Sequence, residues 1–306
     1  MEIIGYGDAD VDIILNLDHL PVKDEKIQAS AYSFQKGGMV PNTLVALSRL
    51  GREVGFHGVI GDDTFGQLVV ENFRENGVDT GGVVVKHGAH TFFCVLLVNP
   101  NGDRVVLSAP TETHTRHPED VVESVIAKAK HLHTTVCFDP AGLRAMRLAK
   151  QHGLTVSLDM DAHTSGPERD LQEMISLVDL LLLNQLGSAK LNFGETDEER
   201  ARLLAQESGG IVCITMGEKG AITAYEDQLI HTPVFEVDVV DTTGAGDSFA
   251  AGFIHTFLAG WPLEDMPVFA SAVAALNCQH IGGHTHAPSL DAVLLFLEAR
   301  GISIAQ

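Results

Sequence analysis

From Pro118 onward the chain alternates between amphipathic stretches and short apolar runs, and few folds accommodate that rhythm. The periodicity predicts a helix over 120–130 leading to a strand over 132–138. A helix over 141–152 then leads to a strand over 155–160, and a helix over 168–176 to a strand over 180–183. Strands separated by helices of this length make crossover units, whose stable arrangement is a mostly parallel, doubly wound sheet flanked by helices on both faces. With 306 residues, 45% of them hydrophobic, the chain can fill one large α/β domain with a small appendage, or two domains.

The first third of the chain interrupts this rhythm. Residues 27–34 alternate apolar and polar, and the apolar runs within 91–98 and 103–108 flank Asn99-Pro100-Asn101-Gly102, a strong hairpin turn. A few strands bury too little to stand alone, so this small sheet must pack on the main domain or on a second copy of itself.

A net charge of −21 argues against nucleic acid and anionic membrane as partners, because both demand clustered Lys and Arg. It also means that a polyphosphate needs local backbone donors or cations. Cys94, Cys137, Cys213 and Cys278 are scattered without a Cys-x-x-Cys pair, which predicts buried free thiols in a reducing compartment. Met1-Glu2-Ile3-Ile4-Gly5 opens directly on a strand and no apolar run reaches transmembrane length, so the expectation is a soluble cytoplasmic protein.

The densest chemistry lies in Asp241-Thr242-Thr243-Gly244-Ala245-Gly246-Asp247-Ser248-Phe249. A strand-like run, 234–240, precedes it and a helical apolar run, 249–258, follows. The glycines permit a tight turn that presents bare N–H groups at a helix start, where an anion is favoured. Asp247 sits among those donors, as an N-cap or as a reactive carboxylate. Other strings exclude alternatives. Gly5-x-Gly7 lacks a third glycine and a following helix, and no Gly-x-x-x-x-Gly-Lys-Ser/Thr occurs, so neither a dinucleotide fingerprint nor a P-loop is present. His131-x-His133 and His284-x-His286 lack a third metal ligand within sequence reach.

The 241–249 string resembles the second signature of the ribokinase-like sugar kinases, the PfkB carbohydrate kinase family. Lys36-Gly37-Gly38-Met39-Val40-Pro41-Asn42-Thr43 resembles the first signature, although small residues or Lys are usual where Met39-Val40-Pro41 stands. The resemblance runs through nearly the whole chain. It implies an ATP-dependent kinase in which Gly244, Ala245 and Gly246 form the anion hole and Asp247 takes the proton of the attacking hydroxyl. It places Asp10, Asp12, Gly37, Gly38 and Asn42 on the sugar. A carboxylate suits that task because it accepts two hydroxyl hydrogen bonds. Asn184, Thr215, Gly217, Gly220 and Ser271 fall to the nucleotide, and Asp241 and Thr243 to a monovalent cation such as K+.

The α/β core implied is 1–12, 36–88 and 111–306, with 13–35 and 89–110 as a β lid through which family members often dimerise. The usual Asn-x-x-Glu motif, whose Glu helps hold Mg2+, is broken here: Asn184 is present but Gly187 replaces the Glu. Asp159 and Asp161, ending a strand where open sheets place ligands, are the candidates to substitute. Two alternatives stay open. Tyr32, Phe34, Phe92 and Phe93 would suit a nucleoside acceptor, and the missing Glu would suit a catalytically weak sugar-binding sensor.

Overall fold

The computed structural model describes residues 1–109, 111–135, 140–161 and 168–304. Its strands are β1 (Ile3–Tyr6), β2 (Asp10–Asn16), β3 (Ala31–Gly37), β4 (Val54–Gly61), β5 (Asp79–Lys86), β6 (Phe93–Val98) and β7 (Arg104–Ala109), then β8 (His131–Thr135), β9 (Thr155–Met160), β10 (Leu180–Asn184), β11 (Ile211–Thr215), β12 (Ala221–Tyr225) and β13 (Gln228–Thr232). The helices are α1 (Met39–Arg49), α2 (Thr64–Glu75), α3 (Glu123–Ile126), α4 (Pro140–Gln151), α5 (Glu168–Ser176), α6 (Gln185–Ser188), α7 (Asp197–Ser208), α8 (Ala245–Ala259), α9 (Asp265–Asn277) and α10 (Leu290–Glu298).

Nine strands form the main sheet in the order β13-β12-β11-β10-β9-β8-β1-β4-β5, and β12 alone runs against the others. Successive side chains of a strand point to opposite faces, and here both faces are covered. Ile3, Leu180, Leu182, Ile211 and Cys213 therefore pack with α1, α2, α8, α9 and α10. Their neighbours Ile4, Leu181, Leu183, Val212 and Ile214 pack with α4, α5 and α7. The winding reverses between β1 and β8, which pair as Ile3 with His131 through Tyr6 with Thr134. Ligands in open sheets bind beyond the carboxyl ends of the strands at such a switch point. That is where Asp8 and Asp10 follow β1.

The second sheet has four strands in the order β3-β2-β6-β7. Asp10, Asp12 and their partners Gly37 and Gln35 share one face. Phe34 and Phe93 occupy the other, meeting Phe65 of α2 at ring distances of 6.2 and 5.6 Å. This contact seats the small sheet on the core.

Three predicted elements differ. The 234–240 run is not a strand. It follows Pro233 beyond the edge strand β13, leaves Val234, Val239 and Val240 exposed, and gives its Val240 N–H to Cys278 O. The alternation was real but no strand edge lies beside it. The helix over 120–130 shrinks to α3, because Val121 and Val122 are extended and the Val122 N–H goes to His57 Nε2 at 2.9 Å. The strand over 27–34 begins only at Ala31, after Ser30 gives its N–H to Asn16 O, and runs on to Gly37 opposite Asp10. Positions 136–138 of the strand expected over 132–138, with Cys137, lie outside the described residues; Cys94, Cys213 and Cys278 are free and buried. Among the described residues, no helix is long and apolar enough to cross a membrane.

Candidate active site

Helix α8 begins behind Gly244, whose φ of 70° is the left-handed conformation that glycine adopts without strain. A Cβ there would also lie 2.1 Å from Gly283 O, so the turn and the 281–285 segment are pressed together. Gly246 is the opposite case: a Cβ would meet nothing within 4 Å. The first turn of α8 thus faces open space, and its N–H groups and positive helix end can receive an anion there.

Asp247 lies in this first turn with its side chain buried. Its Oδ2 accepts a 2.7 Å hydrogen bond from Asn42 Nδ2, and its backbone carbonyl accepts one from Thr43 Oγ1 at 3.3 Å. Burial pushes the carboxyl up to about 7; the Asn42 bond pulls it down and the charge of Asp161 raises it further. A carboxyl poised near neutrality beside an anion cradle can take a proton from a hydroxyl.

The first-signature turn reaches the same place from the other side. Gly38, at φ 102°, caps α1, and a Cβ on it would strike Asp8 O at 2.6 Å. Pro41 lies in the first turn of α1, where its missing N–H has no intrahelical partner to lose. Gly37 leaves room for carboxylates: a Cβ would fall 2.5 Å from Asp10 Oδ1 and 2.8 Å from Asp12 Oδ2. Burial first, then the neighbouring Asp12 and Asp8, holds the Asp10 carboxyl well above the usual range, and burial also raises Asp12. Asp10, Asp12, Gly37, Gly38, Asn42 and Asp247 are therefore one constellation assembled from β2, β3, α1 and α8.

Asp159 ends β9 on the same edge. Its carboxyl is held well above the usual range by burial, then by Asp247 and Asp161. The position of the missing Glu has a steric explanation. A Cβ on Gly187 would lie 2.8 Å from the Asp161 backbone carbon and oxygen, so the chain after β9 occupies the space a side chain there would need.

On the nucleotide side the groups are mainly backbone and turn. Asn184 caps α6 by accepting the Gly187 N–H at 2.6 Å, and its register partner Thr215 gives its hydroxyl to Leu183 O. Gly217 and Gly220 adopt φ of 56° and 89° in a tight turn, and Ser271 is buried on α9. Asp241 receives the Thr243 N–H and hydroxyl on Oδ1 and the Gly282 N–H on Oδ2. Burial raises its carboxyl, but these bonds outweigh burial and hold it below the usual range.

A pfkB family carbohydrate kinase model matches residues 2–290. The chain belongs to that family. It is 32% identical over 301 residues to the ATP-dependent ribose-1-phosphate kinase of Halopiger xanaduensis, covering 98% of this chain and 99% of the relative. The fold superposes on a Thermotoga maritima ribokinase with a TM-score of 0.87 at 24% identity, covering 97% and 99% of the two chains. It also matches a putative ribokinase II of E. coli in complex with ATP and Mg2+, with a TM-score of 0.84 at 20% identity over 97% and 99%. This PfkB kinase is an ATP-dependent phosphotransferase with a sugar acceptor.

Two residues of the site were not singled out from sequence as part of it. Thr43 holds the Asp247 backbone, and His284 sits with Nδ1 2.6 Å from Asn42 Oδ1. His284 was weighed only as half of a metal pair. The available signal was its place after Gly282-Gly283, where the absence of a Cβ on Gly283 admits Asn42. His131 and His133 instead share Ser157 Oγ at 2.8 and 2.9 Å inside the sheet.

Proposed function

We propose that this PfkB kinase transfers the γ-phosphoryl group of ATP to a hydroxyl of a sugar or sugar-like polyol, with Asp247 as the base. The buried Asp247, near neutrality at the open mouth of α8, is the observation that carries this reading. Asp10, Asp12, Gly37, Gly38 and Asn42 orient the sugar hydroxyls. The N–H groups of Gly244, Ala245 and Gly246 disperse the charge on the phosphoryl oxygens. Asn184, Thr215, Gly217, Gly220 and Ser271 hold the nucleotide, and Asp241 and Thr243 shape the loop beside it and a K+ site.

The oxygen donors present fit a magnesium ion. Asp159 and Asp161 stand close enough to Asp247 to perturb it or be perturbed by it, yet among the described residues these carboxylates do not converge as direct ligands. They suit an ion that keeps its waters, with the carboxylates holding those waters. Magnesium would screen the phosphate charge against the acidic field of the protein.

The acceptor set is rich in carboxylates, which suits a neutral polyol. Arg116, buried 3.3 Å from Asp8, supplies a cation beside that set and is the feature that fits a sugar 1-phosphate, the substrate in the name of the Halopiger relative. The aromatics do not favour a nucleoside: Tyr32 and Phe34 lie on the face opposite Gln35 and Gly37, and Phe92 stacks on His114 at 4.3 Å. ADP release should be measured with ribose, ribose 1-phosphate, fructose and nucleosides. Turnover only with nucleosides would sink the proposal.

The small sheet acts as a lid that excludes water from the phosphoryl group, and its exposed Val106 and Leu107 fit pairing with a second lid in a cytoplasmic homodimer. Saturating true substrate should slow amide exchange in 31–37 and 93–109. Unchanged exchange there would remove the lid role.

A further inference from the structure

Asn42 is held at both ends. Its Nδ2 donates to Asp247 Oδ2 at 2.7 Å, and its Oδ1 lies 2.6 Å from His284 Nδ1. An amide oxygen can only accept, so Nδ1 carries the proton and donates. The far edge of the ring, Nε2, lies 3.3 Å from Asn72 Oδ1 on α2. In that tautomer Nε2 carries no proton and cannot donate to the Asn72 oxygen, so the hydrogen-bonded chain runs from His284 through Asn42 to the reacting carboxyl, joining residues 242 and 205 positions apart. His284 is buried and meets Asn42 on the side away from Asp247, at the wall of a cavity of about 460 Å³ lined also by Lys36, Arg49 and Glu75.

We propose that His284 is a positioning residue: its Nδ1–H fixes the Asn42 amide so that the NH2 group, and not the oxygen, faces Asp247. Without that donor the two ends of the amide differ little in shape, and a flipped Asn42 would turn an oxygen toward the carboxylate. One N–H of Asn42 would then no longer stabilise the ionised base. The other would no longer be aimed at the sugar. Burial, with the charges of Arg49 and Lys36, pushes the imidazole down to about 4, so it stays neutral and keeps one donor throughout the working range. The groups facing Asp247 itself are Asp161, Asp159 and Asp10, all acidic, which makes the single donor from Asn42 weigh more.

The proposal rests on Asp247 being the base, and the test separates the two. His284→Leu removes the donor at similar volume, whereas His284→Asn places an amide nitrogen close to where Nδ1 stood. Steady-state rates are measured across pH with whichever of ribose, ribose 1-phosphate and fructose gives the fastest ADP release. His284→Leu should lower kcat about tenfold and move the acid limb of kcat/KM up by about one pH unit, the loss of one hydrogen bond to a charged group. His284→Asn should restore most of both. In an Asn42→Ala background, His284→Leu should move the limb no further, since its effect travels through Asn42.

If the pocket rejects leucine, His284→Ala carries the same readout. An unmoved acid limb in folded Leu and Ala variants overturns the proposal. So does an Asn variant that behaves like Leu, or an undiminished shift in the Asn42→Ala background. If Asp247→Asn also retains activity, the base assignment has failed; if it is inactive, only the role of His284 has.

Discussion

Asp241 and Asp247 lie on either side of one glycine turn and answer to opposite physics. Asp241, in the loop, accepts three hydrogen bonds from Thr243 and Gly282, and they hold its carboxyl ionised against partial burial. Asp247, in the helix, is buried near other carboxylates and rises to about 7. The first is a pin that shapes a loop. The second is a group kept close to its proton. The difference lies in donors: a carboxylate supplied with backbone N–H groups becomes structural, and one deprived of them becomes reactive.

Removing the reactive carboxylate should give the largest effect. Asp247→Asn preserves shape and neutralises the base, so kcat should fall by roughly 10²–10⁴ while sugar affinity changes little. Wild-type kcat/KM should in turn decline as pH falls through about 7, because the protonated carboxyl cannot accept the hydroxyl proton. A variant that keeps more than half of the turnover would erase the contrast between the two residues.

A smaller effect is expected one step outward, where Asp159 and Asp161 share the field of Asp247. The backbone at Asp161 fills the space beside Gly187, and the two carboxylates are the proposed substitutes for the absent Glu. Asp159→Asn or Asp161→Asn should raise the magnesium needed for half-maximal rate about 10–100-fold, the usual cost of losing a group that orients metal-bound water. If both titrate like wild type and change only the sugar KM, these residues belong with Asp10 and Asp12 on the substrate.

What could be read in the sequence follows the same division. The sheet was legible because strands buried on both faces and helices between them leave a pattern that only a few folds satisfy, and β9 and α5 lie where the periodicity put them. Asp247, Gly244 and Asn42 were legible as strings whose chemistry is local. The 234–240 run misled because alternation reports amphipathic character and not the presence of a neighbouring edge. The hydrogen bond from Asn42 to Asp247 and the donor from His284 were invisible, since they depend on how α1, α8 and the 281–285 segment pack. Gly187 read as a loss. The structure shows it as a space already filled by the Asp161 backbone.

The weakest expected effect tests the comparison most directly, because its two arms carry opposite signs. The folded-state pKa of Asp247 is raised, so its stabilising contribution is present below the unfolded value near 4 and lost as pH rises through about 7. Asparagine does not titrate, so Asp247→Asn should gain stability over wild type from about pH 4 to about pH 7 and hold that gain above it. The folded-state pKa of Asp241 is lowered, so its contribution is present above the unfolded value and lost as pH falls through the folded one. Asp241→Asn should therefore be less stable at neutral pH, by about 1 kcal/mol after allowing for its partial exposure, and approach wild type in acid. Thermal unfolding of the ligand-free proteins between pH 3 and 9 measures both. If the two variants deviate in the same direction at pH 8, the carboxylates are not opposites. The turn would then be held by its glycines alone, with Gly244 pressed against Gly283 whatever charge stands on either side.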